Sequence, residues 1–271
     1  MTHDGRNDVL RPFPDQRHDH DACRSEALAQ VVAACAERGL RLTPLFLEFG
    51  VEAFRGGRFP AAADHGGDAG SYSAFVHLGG DVGTSHSWQV GLSRLWADAH
   101  ERGGGHGHHH GHTHDDPTFS GDSDLTIVDA VWKWAPGGNA RGRSLVLQAE
   151  YFQRDEDGLV VVPEHSDTAY DGTQRGLYAQ AVYRFSPRWR AGVRYDRLRS
   201  DNRAVDPATL ADAGLADAND AQRYSAMIDF ATSEFARIRL QVTRSDIAGE
   251  TGSALFLQYV MSLGAHGAHR F

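Results

Sequence analysis

Residues 189–196, WRAGVRYD, alternate: Trp189, Ala191, Val193 and Tyr195 fall on one side, Arg190, Arg194 and Asp196 on the other. Successive side chains of an extended chain point to opposite faces, so a period of two marks a strand with one apolar and one polar face. The same texture recurs. ARIRLQVTR sets Ile238, Leu240 and Val242 against Arg237, Arg239 and Gln241. LFLEFGVEAF sets Leu45, Leu47, Phe49, Val51 and Ala53 against Glu48 and Glu52, and SLVLQAEYF sets Leu145, Leu147, Ala149 and Tyr151 against Gln148 and Glu150. WQVGLSRLW opposes Trp88, Val90 and Leu92 to Gln89, Gly91 and Ser93. The pattern predicts about ten strands, over 45–55, 71–80, 86–97, 123–135, 143–154, 174–186, 188–199, 221–231, 235–245 and 253–264. Lengths near ten residues exceed the usual strand and match one crossing a bilayer at a tilt.

Alternation does not say which face is wet, but three features do. The segments GDVGTS, PGGNARG, SPR and ATSE are short turns, and they alternate with long connections at 56–70, 98–122, 155–173 and 200–220. Transmembrane barrels sort their connections by side in this way. Trp88, Trp134, Phe185, Trp189, Phe230 and Phe235 cluster at short-turn ends, and Trp96, Tyr151, Tyr195 and Tyr224 near long-connection ends. Two such bands are the interfacial girdles of a barrel. Finally, Glu48, Glu52, Asp129, Lys133, Glu150, Arg184, Arg190, Arg194, Arg237 and Arg239 would all share one surface, which a water-filled lumen accommodates. The expected fold is all-β: an antiparallel up-and-down transmembrane β-barrel over residues 42–271, of which these ten strands need not be the whole.

The chain ends in LFLQYVMSLGAHGAHRF. A C-terminal Phe closing an alternating strand, here Phe271, resembles the terminal strand of Gram-negative outer-membrane barrels, which the barrel assembly machinery recognises. FLEFGVEAFRGGRFP, SGDSDLTIVDAVWKWAPGGN, LQAEYFQRDEDG and QRGLYAQAVYRFSPRWRAGVRYDRL, with that terminal stretch, resemble a proteobacterial outer-membrane family often labelled zinc-regulated or TonB-dependent outer-membrane receptors. The resemblance covers about residues 42–271 and implies an outer-membrane location, bilayer lipid and the assembly machinery as partners, and a His-rich loop near His106–His114. About 230 residues are too few for a 22-stranded receptor with a plug, so a TonB-type partner is not expected.

Residues 1–41 have a different texture. CRSEALAQVVAACAERG has Ala, Leu and Val at helical spacing with Gly39 as a C-cap, after a polar stretch that reads as disordered. A short N-terminal helix is expected there. No signal peptide is recognisable, which suggests a truncated or mis-started reading frame. The two cysteines, Cys23 and Cys35, would form a disulfide, bind zinc with His18 or His20, or stay unpaired.

The remaining signal is HERGGGHGHHHGHTHDD, residues 100–116, with seven histidines. His106, His108, His109, His110, His112 and His114 present imidazoles that suit zinc, copper or nickel, and Asp115 and Asp116 add oxygen donors. Glycine spacing makes this a flexible tract that holds Zn2+ or another divalent metal loosely, not a four-ligand cage. His266 and His269 would sit at the opposite rim. A formal charge of -9 gives no support to nucleic-acid binding. No GxSxG, P-loop, HExxH or CxxC motif occurs, and no enzyme activity is expected. The expectation is a channel or receptor-like barrel linked to zinc or other divalent-metal uptake. The alternative is a general porin or structural barrel whose His-rich loop is incidental.

Overall fold

The computed structural model describes residues 36–42, 45–56, 61, 70–103, 117–162, 167–206, 208 and 220–262. They form one antiparallel sheet of eleven strands in sequence order. The strands are β1 (Ala36–Leu42), β2 (Leu45–Phe54), β3 (Ser71–Val82), β4 (His86–Gly103), β5 (Thr118–Trp134) and β6 (Ser144–Val161). They continue with β7 (Thr168–Ser186), β8 (Trp189–Ala204), β9 (Ala221–Ala231), β10 (Ala236–Ile247) and β11 (Glu250–Met261). Each strand pairs with the next, and among the described residues no ladder joins β11 to β1.

The registers fix the faces. Glu48 lies opposite His77, Gly91 opposite Asp129, Asp129 opposite Glu150, and Gln148 opposite Gln180. Arg184 lies opposite Arg190, Arg190 opposite Asp229, and Asp229 opposite Arg239. Directly opposed residues share a face, so these side chains form one polar face around the sheet. The other face carries Phe49, Val76, Leu92, Val128, Leu177, Val193, Ile228 and Leu240, all exposed.

The sheet is curled. A cavity of about 1320 Å3 is bordered at mid-height by the eight strands β4 to β11. Polar-face side chains two strands apart meet: His77 with Asp129 at 3.6 Å, Arg102 with Glu156 at 2.6 Å, and Phe119 with Tyr170 at a ring separation of 5.7 Å. Such convergence makes the polar face the inner one.

The ten expected strands are present, and several are longer than the alternation indicated. β4 to β8 run for 18, 17, 18, 19 and 16 residues. Most of the connection expected at 155–173 is therefore strand, with β6 and β7 paired out to Val160 and Thr168. The period-two signal lapses in QRDEDG because both faces are polar there, while the ladder continues because backbone groups still need partners. Gly121 and Gly158 face each other in this extension, where a side chain on Gly158 would collide with the Ser120 carbonyl. The segment expected to link the last two strands is a two-residue turn, Ala248–Gly249, both at positive φ (53° and 81°). That is the twist a tight hairpin requires.

The N-terminal helix expected over Cys23–Gly39 does not extend into residues 36–39. They belong to β1, which pairs with β2 from Ala36↔Val51 to Leu42↔Leu45. The exposed edge of β2 offers a full row of hydrogen-bonding groups, and that pairing overrides local helical propensity. The sheet thus begins ahead of the boundary drawn at residue 42, and residues 1–35, with Cys23 and Cys35, lie outside the described residues.

Candidate functional site: the charged inner wall

All ten charged residues singled out from the sequence fall on the inner face: Glu48, Glu52, Asp129, Lys133, Glu150, Arg184, Arg190, Arg194, Arg237 and Arg239. They are sorted around it. β2 to β6 contribute Glu48, Glu52, Asp81, Asp129, Glu150 and Glu156 against Arg102, Lys133 and Arg154. β7 to β10 contribute Arg184, Arg190, Arg194, Arg223, Arg237 and Arg239 against Asp196 and Asp229. One arc of the wall is acidic and the next is basic.

On the acidic arc His77 stands between two carboxylates, its Nδ1 3.4 Å from Glu48 and its Nε2 3.6 Å from Asp129. The Ser73 hydroxyl donates to Glu52 at 2.9 Å. On the basic arc Asp229 is the hub. It accepts from Arg190 Nε at 2.8 Å and from Arg239 Nε at 2.8 Å, and Arg237 lies 3.8 Å away. At the seam between the arcs, the Tyr178 hydroxyl accepts from Gln148 at 2.7 Å, and the Arg194 guanidinium lies 4.0 Å above its ring.

Nearer the long-connection end the inner face closes over a small apolar core of Ala99, Phe119, Val160, Val162 and Tyr170. A register shift between Ala99 and Arg102, with Glu101 at φ 49°, turns Arg102 inward. Arg102 there bonds Glu156 at 2.6 Å and stacks on Phe119 at 4.6 Å, while the Ser123 hydroxyl donates to the same carboxylate at 2.8 Å. The Tyr170 hydroxyl donates to Asn202 at 2.9 Å. At the start of β9, Asp220 accepts from Arg197 at 3.1 Å and Arg199 lies 3.4 Å away. The Arg197 bond holds the Asp220 carboxyl below the usual carboxylate range.

The aromatic bands lie on the outer face. Trp189 and Phe230 pack at 4.8 Å near the short turns, and Tyr195 and Tyr224 at 5.0 Å further along the same strands. The separation along β8 is six residues, about 20 Å.

The metal-binding residues expected at His106, His108, His109, His110, His112, His114, Asp115 and Asp116 lie outside the described residues, as do His266, His269 and Phe271. Among the described residues there is no group of three His, Cys, Asp or Glu placed to hold a metal ion, and no helix long and apolar enough to cross a membrane. Sequence reading passed over His77, Asp229, Tyr178, Glu156 and Arg102. Parity alone puts His77 on the polar face with Ser71 and Ser73. Arg102 left no signal, because the bulge reverses its parity.

No known protein family matches the chain. An uncharacterized protein of Aquifex aeolicus (strain VF5) is 33% identical over 134 residues, which is 48% of this chain and 27% of that protein. Among solved structures, the chain is similar to in-vitro folded OmpT, an outer membrane protein of Vibrio cholerae, with TM-score 0.48 and 10% identity over 84% of this chain and 59% of that one. It is also similar to outer-membrane expressed OmpT of Vibrio cholerae, with TM-score 0.47 and 10% identity over 79% of this chain and 54% of that one. The chain therefore spans a little over half the length of the solved structures it matches and about a quarter of the Aquifex aeolicus protein.

Proposed function

We propose that this chain forms the wall of an outer-membrane β-barrel in a Gram-negative bacterium, passing small polar solutes and linked to uptake of zinc or another divalent metal. One observation carries the membrane reading. On the outer face Val193 and Tyr224 are each 58% exposed and Val242 50%, while on the inner face Asp229 is 1%, Gln241 1% and Arg239 4% exposed. Water-soluble proteins sort these residue types the other way. A sheet with an apolar exterior and a polar, ion-paired interior suits lipid outside and water within. Bilayer lipid and the barrel assembly machinery are the partners this reading requires, and transport, not catalysis, is its activity.

The link to metal rests on the resemblance to zinc-regulated receptors and on the histidine run, which joins the long-connection ends of β4 and β5, after Gly103 and before Pro117. Imidazoles at that end would raise the local concentration of Zn2+ without holding it tightly. The division of the wall into acidic and basic arcs favours a second reading, a general porin whose histidines are incidental. Oppositely charged walls set up a field across the passage that orients dipolar solutes without selecting a metal.

Reconstitution of the chain in planar lipid bilayers tests both. Discrete conductance steps are expected, and their absence removes transport. Zn2+ at micromolar concentration is expected to alter the current of the intact chain and not that of a chain lacking residues 104–114. An unchanged zinc response after that deletion leaves the general porin.

A further inference from the structure

A second cavity, of about 680 Å3, opens at the short-turn end, bordered by the turns after β5, β7 and β9. Five arginines line it: Arg184, Arg190 and Arg237 from the inner face, and Arg141 and Arg188 from the turns. Two carboxylates line it as well, Asp229 and Glu234. Asp229 is already engaged by Arg190 and by Arg239, each at 2.8 Å. The Arg184 guanidinium is steadied by a bond from Nη1 to the Pro187 carbonyl at 3.2 Å. In a chain whose formal charge is -9, this is a local inversion of sign.

We propose that this cavity is a binding site for a compact phosphate group. Guanidinium forks match phosphate oxygens in pairs, and several forks on one concave surface favour a multivalent oxyanion over chloride. The phosphate has two available sources, a free phosphorylated solute or an anionic lipid headgroup at the nearby bilayer surface, and both offer the same oxygens. The site needs only the fold. A chain that binds phosphate but conducts no current would overturn the transport reading and leave this one intact.

The test uses the full chain folded in a phosphorus-free detergent, titrated calorimetrically with inorganic pyrophosphate at constant ionic strength, with chloride as the control. A parallel arm adds phosphatidylglycerol. Trp189 borders the cavity, so the part of the tryptophan fluorescence that W189F removes gives an independent local readout. Saturable binding is expected, weakened about tenfold or more in R184Q/R237Q. The second variant, R141Q/R188Q, changes only turn residues outside every strand and is expected to weaken binding while keeping the fold. Saturation by pyrophosphate assigns a free solute, and saturation by the lipid alone assigns a headgroup. No saturation above chloride in either arm, or binding untouched in both variants, overturns the site.

Discussion

Asp229 holds the basic arc together, with its side chain 2% exposed and three arginines around it. Asp229→Ala leaves those guanidinium groups crowded and without their shared counter-ion, at a cost of about 3 kcal/mol. Denaturant unfolding in detergent measures it. The matching change at Asp201, whose pair with Arg203 is largely exposed, should stay within about 0.5 kcal/mol. Asp220 makes a pH prediction. Its folded pKa is depressed below the usual 3.8, so the tie to Arg197 contributes stability above that value and loses it as pH falls through the lower folded pKa. Hydrogen exchange at Gln222 should stay slow through the ordinary carboxylate titration and quicken only below it, and in Asp220→Asn that acid step should vanish. At this scale the sequence was informative about orientation and silent about partnership. Parity put ten charged side chains on one face, but parity cannot say that Asp229 serves three arginines, because that depends on cross-strand register. Arg102 was invisible for a different reason: a single inserted residue inverts its side.

Strand positions followed from the alternation wherever one face meets an apolar surroundings and the other a polar one. Strand ends did not, because alternation stops where both faces are polar while hydrogen bonding carries on. The Ala248–Gly249 hairpin was missed on similar grounds. Its first residue lacks the Asn or Asp that advertises a tight turn, although Ala248 adopts the left-handed conformation such a turn needs. An alanine there is strained by about 1 kcal/mol relative to residues that visit this region readily. Ala248→Asn should therefore raise stability by about 0.5–1 kcal/mol, read as a later unfolding midpoint in denaturant.

For the whole molecule, the sidedness of the sheet makes the sharpest forecast. Val193 is 58% exposed on the outer face of β8, between the aromatic bands at Trp189 and Tyr195. If lipid covers it, Val193→Arg costs about 2–4 kcal/mol in a bilayer. If water covers it, the same change stays within about 0.5 kcal/mol. Folding titrations in lipid vesicles separate the two, and the smaller value would sink the membrane reading. The sheet's uneven height has a further effect. β4 to β8 stand 16 to 19 residues long, while β9, β10 and β11 have 11, 12 and 12. The difference, some six residues, is about 20 Å. Among the described residues the strands at that end finish on a slant, like the lip of a jug. The tall side is braced on its inner face by the Arg102–Glu156 pair. In sequence the histidine run of residues 104–114 connects two of the tall strands, β4 and β5, so under the proposed function metal capture belongs to the high side of that lip.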